Sequence, residues 1–284
     1  MLCDQTRYDP AGDVLVFVHI PKTGGTSLAA GLEALIGAEH YLHLRQHLIG
    51  KVREKRRHGL GFAASHLWRQ AKAGFSGRHW LIPRGFDPAR LDDMQLISGH
   101  VGLGDMPPTR RRALPLTLLR DPVDRFVSSF HFFRSVALAE NPPPMHKSPR
   151  LLTWPIDDYV AWLADRGERD AFNVQCLFLG GTADFAPARA AIDEKVFMAG
   201  TLEQIGAFRI ALGQALGRGP IPERREKVGA ARGKAAPPKP ETIDTIRRLS
   251  AGDIALVEHV RAAFAASPLC RAATQAPPAG TPAP

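Results

Sequence analysis

The stretch that decides the fold is "VLVFVHIPKTGGTSLAAGLEALIG", residues 14–37. Its opening, Val14 to Ile20, is short, β-branched and nearly all apolar, as a strand buried on both faces is. Helix follows at once. Leu28, Leu32, Leu35 and Ile36 share one helical face, Thr26 or Ser27 can cap its start, and Gly37 can close its end. Between strand and helix lie Lys22, Gly24 and Gly25. A glycine-bearing turn that opens a helix gathers backbone N–H groups and the positive end of the helix dipole into an anion site. Gly24 and Gly25 permit close approach, Thr23, Thr26 and Ser27 bring hydroxyls, and Lys22 brings a point charge. That density of donors favours an anion site over an ordinary strand-to-helix turn with a surface lysine.

The same pattern recurs outward from this segment. "MQLIS" (Met94 to Ser98) and "LPLTLL" (Leu114 to Leu119) read as strands. The second runs straight into a helix with Asp121 placed to cap it, Pro122 in its first turn, and Val123, Phe126, Val127 and Phe130 on its apolar face. Further helices are expected in "IDDYVAWL", "IGAFRIALGQAL" and Asp253 to Ala265, with a strand at Val196 to Gly200. This alternation predicts an α/β fold, a mostly parallel central sheet flanked by helices, with ligands beyond the carboxyl ends of the strands. Loops are expected at Asn141 to Pro149 and Gly229 to Pro240. Residues 1–270 read as a single domain, and residues 271–284, Ala/Pro-rich and almost uncharged, as a disordered tail.

Composition narrows the partners. Lys plus Arg number 37 against 28 Asp plus Glu, a formal balance of +9 that favours anionic ligands. Cys3, Cys176 and Cys270 are widely spaced and give neither a disulfide framework nor a metal-ligand spacing, which suits a reducing compartment. No run reaches the ~20 apolar residues of a membrane span. The reading is a soluble, cytoplasmic protein.

A Walker loop needs its lysine after the glycines, followed by a hydroxyl that holds Mg²⁺. Here Lys22 comes before them, an order suited to a donor whose transfer needs no metal. A second anion site is legible in "LLRDPVDRFVSSFHFF" (Leu118 to Phe133). Arg120 ends a strand and can offer a planar fork of donors to a phosphate. Ser128 lies two turns into the next helix, and Asp121 and Asp124 read as cap and as partner for Arg125.

The two motifs together resemble the sulfotransferases that use 3′-phosphoadenosine-5′-phosphosulfate (PAPS), in particular the branch that includes heparan sulfate 2-O-sulfotransferase and many bacterial relatives. "HIPKTGGTS" is similar to that family's 5′-phosphosulfate loop, and Arg120 and Ser128 stand at its eight-residue separation for the 3′-phosphate. Weaker similarity lies in "ISGHVG" (Ile97 to Gly102), "FMAGTLEQ" (Phe197 to Gln204) and "DIALVEHV" (Asp253 to Val260). The resemblance implies a P-loop-like sulfotransferase architecture. It implies that Lys22, Thr23, Gly24, Gly25, Thr26, Ser27, Arg120 and Ser128 bind PAPS, with Lys22 at the bridging oxygen and Ser128 touching both the 3′-phosphate and Lys22. The implied reaction moves a sulfuryl group to a hydroxyl, with a glycan as the expected acceptor and with neither metal nor nucleic acid involved.

For the base that takes the acceptor proton, His100 follows a strand at the ligand end of the sheet, and the 2-O-sulfotransferase branch is similar in using histidine. His40, His43, His47, Glu33 and Glu39 are its rivals. The basic stretch Lys51 to His58 reads first as a solvated helix face. A late basic stretch, Arg224 to Lys234, lies where the family places a loop over the nucleotide, but Gly229 stands where asparagine is expected, leaving Arg232 and Lys234 as minor candidates. A nucleotide-dependent kinase and a basic, non-catalytic polyanion binder are the competing classes.

Overall fold

The computed structural model describes residues 1–44, 86–139, 149–224 and 237–275. Five strands form one all-parallel sheet: β1 (Asp13–Val18), β2 (Tyr41–Leu44), β3 (Leu96–Gly99), β4 (Arg112–Leu119) and β5 (Met198–Thr201), in the order β2-β3-β1-β4-β5. Every residue of β1 is buried, as the apolar run Val14 to Val18 requires. The one carboxylate in it, Asp13, receives Nε and Nη2 of Arg112 at 2.7 and 2.8 Å. These two residues are register partners across β1 and β4, so the ion pair pins the central ladder.

Helices cover both faces. On one, Leu28 and Leu32 of α1 (Gly25–Ile36) pack with Leu15 and Phe17 against Phe208 and Leu212 of a later helix. On the other, Val18, Ile20, Leu119 and Ala199 meet Leu179, Ile192 and Val257. A satellite cluster joins Phe126 and Phe130 of α2 (Pro122–Ala139) to Val160 and Leu163 of α3 (Ile156–Asp165) and to Phe172. The remaining long helices are α4 (Val174–Gly180), α5 (Phe185–Glu194), α6 (Ile205–Ala215), α7 (Pro240–Leu249), α8 (Ala251–Ala266) and α9 (Pro268–Gln275).

The strand order carries the functional consequence. From β1 the chain leaves through α1 toward β2 on one side, and from β4 it leaves through α2 toward β5 on the other. β1 and β4 are neighbours, so the loops that follow them start side by side while their helices diverge, the switch point at which folds of this kind bind ligands in a crevice. Lys22 is in one loop and Arg120 in the other.

The expected strands and long helices are present, with ends shifted by one or two residues. Two expectations need correction. Residues 271–275 continue α9 and are not part of a tail, because Ser267 accepts the Cys270 N–H at 3.2 Å and Cys270 and Ala273 are buried in the core. Thr26 and Ser27 do not cap α1. Gly24, left-handed at φ 83°, is its N-cap without a side-chain cap, so both hydroxyl residues fall inside the first turn. Gly37 closes the helix as expected, its N–H reaching the Glu33 carbonyl at 2.8 Å. His47, the stretch 51–58, the loop 141–148, Gly229, Arg232, Lys234 and the tail 276–284 lie outside the described residues. Among those described, no helix is long and apolar enough to cross a membrane.

Candidate active site

The loop after β1 is built around an uncapped helix start. The first amides of any helix have no intrahelical acceptor, and at α1 no side chain supplies one. Those of Gly25, Thr26 and Ser27 therefore start the helix just past the carboxyl end of β1, with no cap from the Gly24 side and the dipole behind them. Glycine is needed at both central positions. A Cβ on Gly24 would meet Leu202 in a left-handed backbone, and a Cβ on Gly25 would run into the rings of His19 and Phe17. Thr23 does not add its hydroxyl: it is fully buried and donates to the Ile20 carbonyl at 3.0 Å, which braces the turn from within.

Lys22 is the one non-glycine residue with a left-handed backbone among the described residues, at φ 72°. That conformation costs an L-residue roughly 1–2 kcal/mol and persists where the surroundings impose it. Two contacts do so. The Lys22 carbonyl accepts from Nη1 of Arg120 at 3.3 Å, and its ammonium lies 4.1 Å from the ring centre of Phe132.

Arg120 completes the pair. Its Nη2 reaches Asp124 at 3.2 Å and its Nε is buried without a hydrogen-bond partner among the described residues. A buried guanidinium donor without an acceptor keeps hydrogen-bonding capacity to spare, as Nε of Arg125 also does among the described residues. Asp124 thus serves Arg120 and not Arg125, as the sequence had led us to expect. Arg125, fully buried, stands 4.0 Å from Asp253 instead, because position 125 turns inward to the helix layer while 124 faces the crevice. Asp121 caps α2 as expected, receiving the Asp124 N–H at 2.9 Å. Asp124, Ser128 and Phe132 recur every four residues and so form one stripe of α2. Its first member holds Arg120 and its last lies under Lys22, which puts half-buried Ser128 between the two cations.

The main chain of Arg120 is fixed by a residue that the sequence did not single out. Gln175 accepts the Arg120 N–H at 2.9 Å and donates to its carbonyl at 3.0 Å. Gln175 sits at the start of α4, whose Gln175 and Cys176 amides are capped by the Asp253 carboxylate at 3.1 and 2.8 Å. Asn173 then ties the Asp253 N–H and the Leu249 carbonyl together. The signal was a glutamine within the apolar run "VQCLFLG" and an aspartate opening α8, neither of which has a spacing that points to Arg120.

His100 follows β3 and completes the crevice. Its Nδ1 lies 2.7 Å from the His19 carbonyl, an acceptor only, so Nδ1 carries the proton and the neutral ring presents Nε2 as the base. The His19 ring lies 4.2 Å from that of His100, and the His19 N–H is held by the Gly99 carbonyl at 3.1 Å. Burial first, then the charges of His100, His43 and Lys22, pull the His19 pKa down to about 3. Burial is also the leading cause that lowers His100, against the hydrogen bond from its ring to His19, which raises it. Both rings are neutral near pH 7.

Of the rival bases, His43 stays close. It is one residue from the carboxyl end of β2, its Nδ1 is 3.2 Å from the Tyr41 hydroxyl, and it acts electrostatically on both other histidines. His40 and Glu39 precede β2, at the amino end of the sheet. Glu33 lies eight residues into α1, about 12 Å along the helix from the loop at 1.5 Å per residue. The structure therefore brings together Lys22, Gly24, Gly25, Thr26, Ser27, Arg120, Ser128 and His100, and leaves Glu33, Glu39 and His40 apart.

The class that the fold defines is an α/β protein with a five-stranded all-parallel sheet, and the loops carrying Lys22 and Arg120 meet at its switch point. No family model and no curated protein matches the chain.

Proposed function

We propose that the protein is a PAPS-dependent sulfotransferase of P-loop-like architecture, transferring a sulfuryl group to a hydroxyl acceptor, with a glycan as the expected class. The observation that carries the reading is the meeting of two motifs 98 residues apart: the guanidinium of Arg120 on the carbonyl of Lys22, at the switch point of the sheet. The residues fit such a donor. The uncapped amides of α1 and Lys22 suit its 5′-phosphosulfate, and Arg120, with a buried Nε unpartnered among the described residues, suits its 3′-phosphate, beside Ser128.

Sulfuryl transfer asks for in-line positioning and charge stabilisation more than for covalent catalysis. Lys22 neutralises the charge that grows on the leaving oxygen. His100 Nε2 takes the proton of the attacking hydroxyl, held toward it by the Nδ1 hydrogen bond to His19. Both roles need residues on the strand-end side of the crevice, which is where β1 and β3 deliver them.

The test is transfer of labelled sulfate from PAPS to a panel of sugars, glycans, peptides and simple alcohols, with Lys22→Ala in parallel. Loss of a charge aimed at the leaving oxygen typically costs ~10²–10³ in rate. Transfer by the wild type and its loss in the variant are expected. Transfer from ATP with Mg²⁺ would instead favour a kinase, and polyanion binding with a steep salt dependence and no turnover would favour a non-catalytic binder.

A further inference from the structure

Two cysteines separated by almost the whole chain meet in the core. Cys3 and Cys270 belong to one buried cluster, near enough for each thiol to shift the titration of the other. Their backbones are clasped independently of the thiols. Asp4 receives the Ser267 hydroxyl at 2.9 Å and the Leu269 N–H at 3.3 Å, while Ser267 receives the Cys270 N–H at 3.2 Å. Cys176 is apart, in the cluster on the other face of the sheet.

We propose that Cys3 and Cys270 form a redox dithiol, which a small disulfide such as oxidised glutathione closes into a staple between the N-terminal segment and α9. Cys3 is the entry point. It lies in a turn outside any helix or strand, held by the Leu2 and Cys3 amides on the Val196 and Phe197 carbonyls at 3.1 and 2.9 Å, so it is reached by local opening, whereas Cys270 is inside a helix. The neighbouring Cys270 thiol also lowers the Cys3 pKa and so favours the attacking thiolate.

The Cys3 thiolate attacks one sulfur of the small disulfide, forming a mixed disulfide and releasing one thiolate. Cys270, losing its proton to solvent, then attacks the Cys3 sulfur and expels the second. In sum, two protein thiols are oxidised to one disulfide and the small disulfide is reduced to two thiols. This inference does not depend on the transfer activity proposed above.

The experiment is incubation of the folded protein with oxidised glutathione, alkylation of all remaining thiols in denaturant, and peptide mapping without reduction. A Cys3–Cys270 link within one chain is expected, with Cys176 alkylated. Cys176→Ser should keep the link and Cys3→Ser abolish it. The linked protein should melt several degrees higher, since the staple closes a loop of nearly the whole chain, and dithiothreitol should reverse the shift. Recovery of alkylated Cys3 and Cys270, a link to Cys176, or dimers joined between chains would overturn the inference.

Discussion

Nη1 of Arg120 donates to the Lys22 carbonyl at 3.3 Å, so one guanidinium both faces the crevice and holds the left-handed turn that aims the lysine. Lysine cannot take over both tasks, because it lacks the planar fork. Arg120→Lys should therefore weaken binding of 3′-phosphorylated nucleotides by roughly tenfold or more and lower turnover at saturating donor as well. Binding calorimetry and steady-state rates check both. A change in affinity alone would show that Arg120 does not set the Lys22 turn.

Gln175 acts through Arg120 and should betray itself by selectivity. Each of its two hydrogen bonds to the Arg120 main chain is worth about 1 kcal/mol. Gln175→Leu should cost roughly tenfold in affinity for adenosine 3′,5′-bisphosphate and little for adenosine 5′-monophosphate. General loosening of the fold would weaken both alike.

His100→Ala should reduce turnover by ~10²–10⁴ and leave donor affinity almost unchanged, because a base acts on the acceptor. Burial, its leading influence, lowers the His100 pKa below the ordinary 6.5, so the acidic limb of the wild-type profile should fall below that value and vanish in the variant. If the limb persists in His100→Ala and disappears in His43→Ala, the base is His43.

Buried His19 gives the fold an acid-side weakness. Its pKa is about 3 when folded and near 6.5 when unfolded, so between those values the unfolded chain binds the extra proton. Stability must then fall as pH drops below about 6.5, by about 3 kcal/mol at pH 4 from this group. His19→Asn should flatten that dependence in denaturant titrations. An unchanged slope would mean that His19 is not neutral in the folded protein.

The sheet was legible where side chains have only one option. Val14 to Val18 of β1 and Leu114 to Leu119 of β4 are buried and nearly all apolar because both of their faces are covered, and the turn after β1 needs Gly24 and Gly25 whatever the rest of the chain does. β2 was not legible: "YLHL" is four residues at a sheet edge, too short for its alternation of exposed His43 with buried Leu42 and Leu44 to stand out. Thr23 read as a ligand donor because a sequence cannot say which way a hydroxyl turns. Asp124 was assigned to its chain neighbour, whereas the helical period sends 124 and 125 to different surroundings. The Gln175 and Asp253 support for Arg120 depends on contacts 55 and 78 residues apart, which no local pattern encodes.

The central claim is that Arg120 and the Lys22 loop form one site for a 3′-phosphorylated sulfonucleotide. Its most direct measurement is calorimetric titration with adenosine 3′,5′-bisphosphate, adenosine 5′-monophosphate and ATP with Mg²⁺, on the wild type and on Arg120→Ala. The account predicts that the bisphosphate binds with one site per chain and most tightly, and that Arg120→Ala removes its advantage over the monophosphate. Tighter binding of ATP with Mg²⁺, or a preference for the bisphosphate that survives Arg120→Ala, would contradict it.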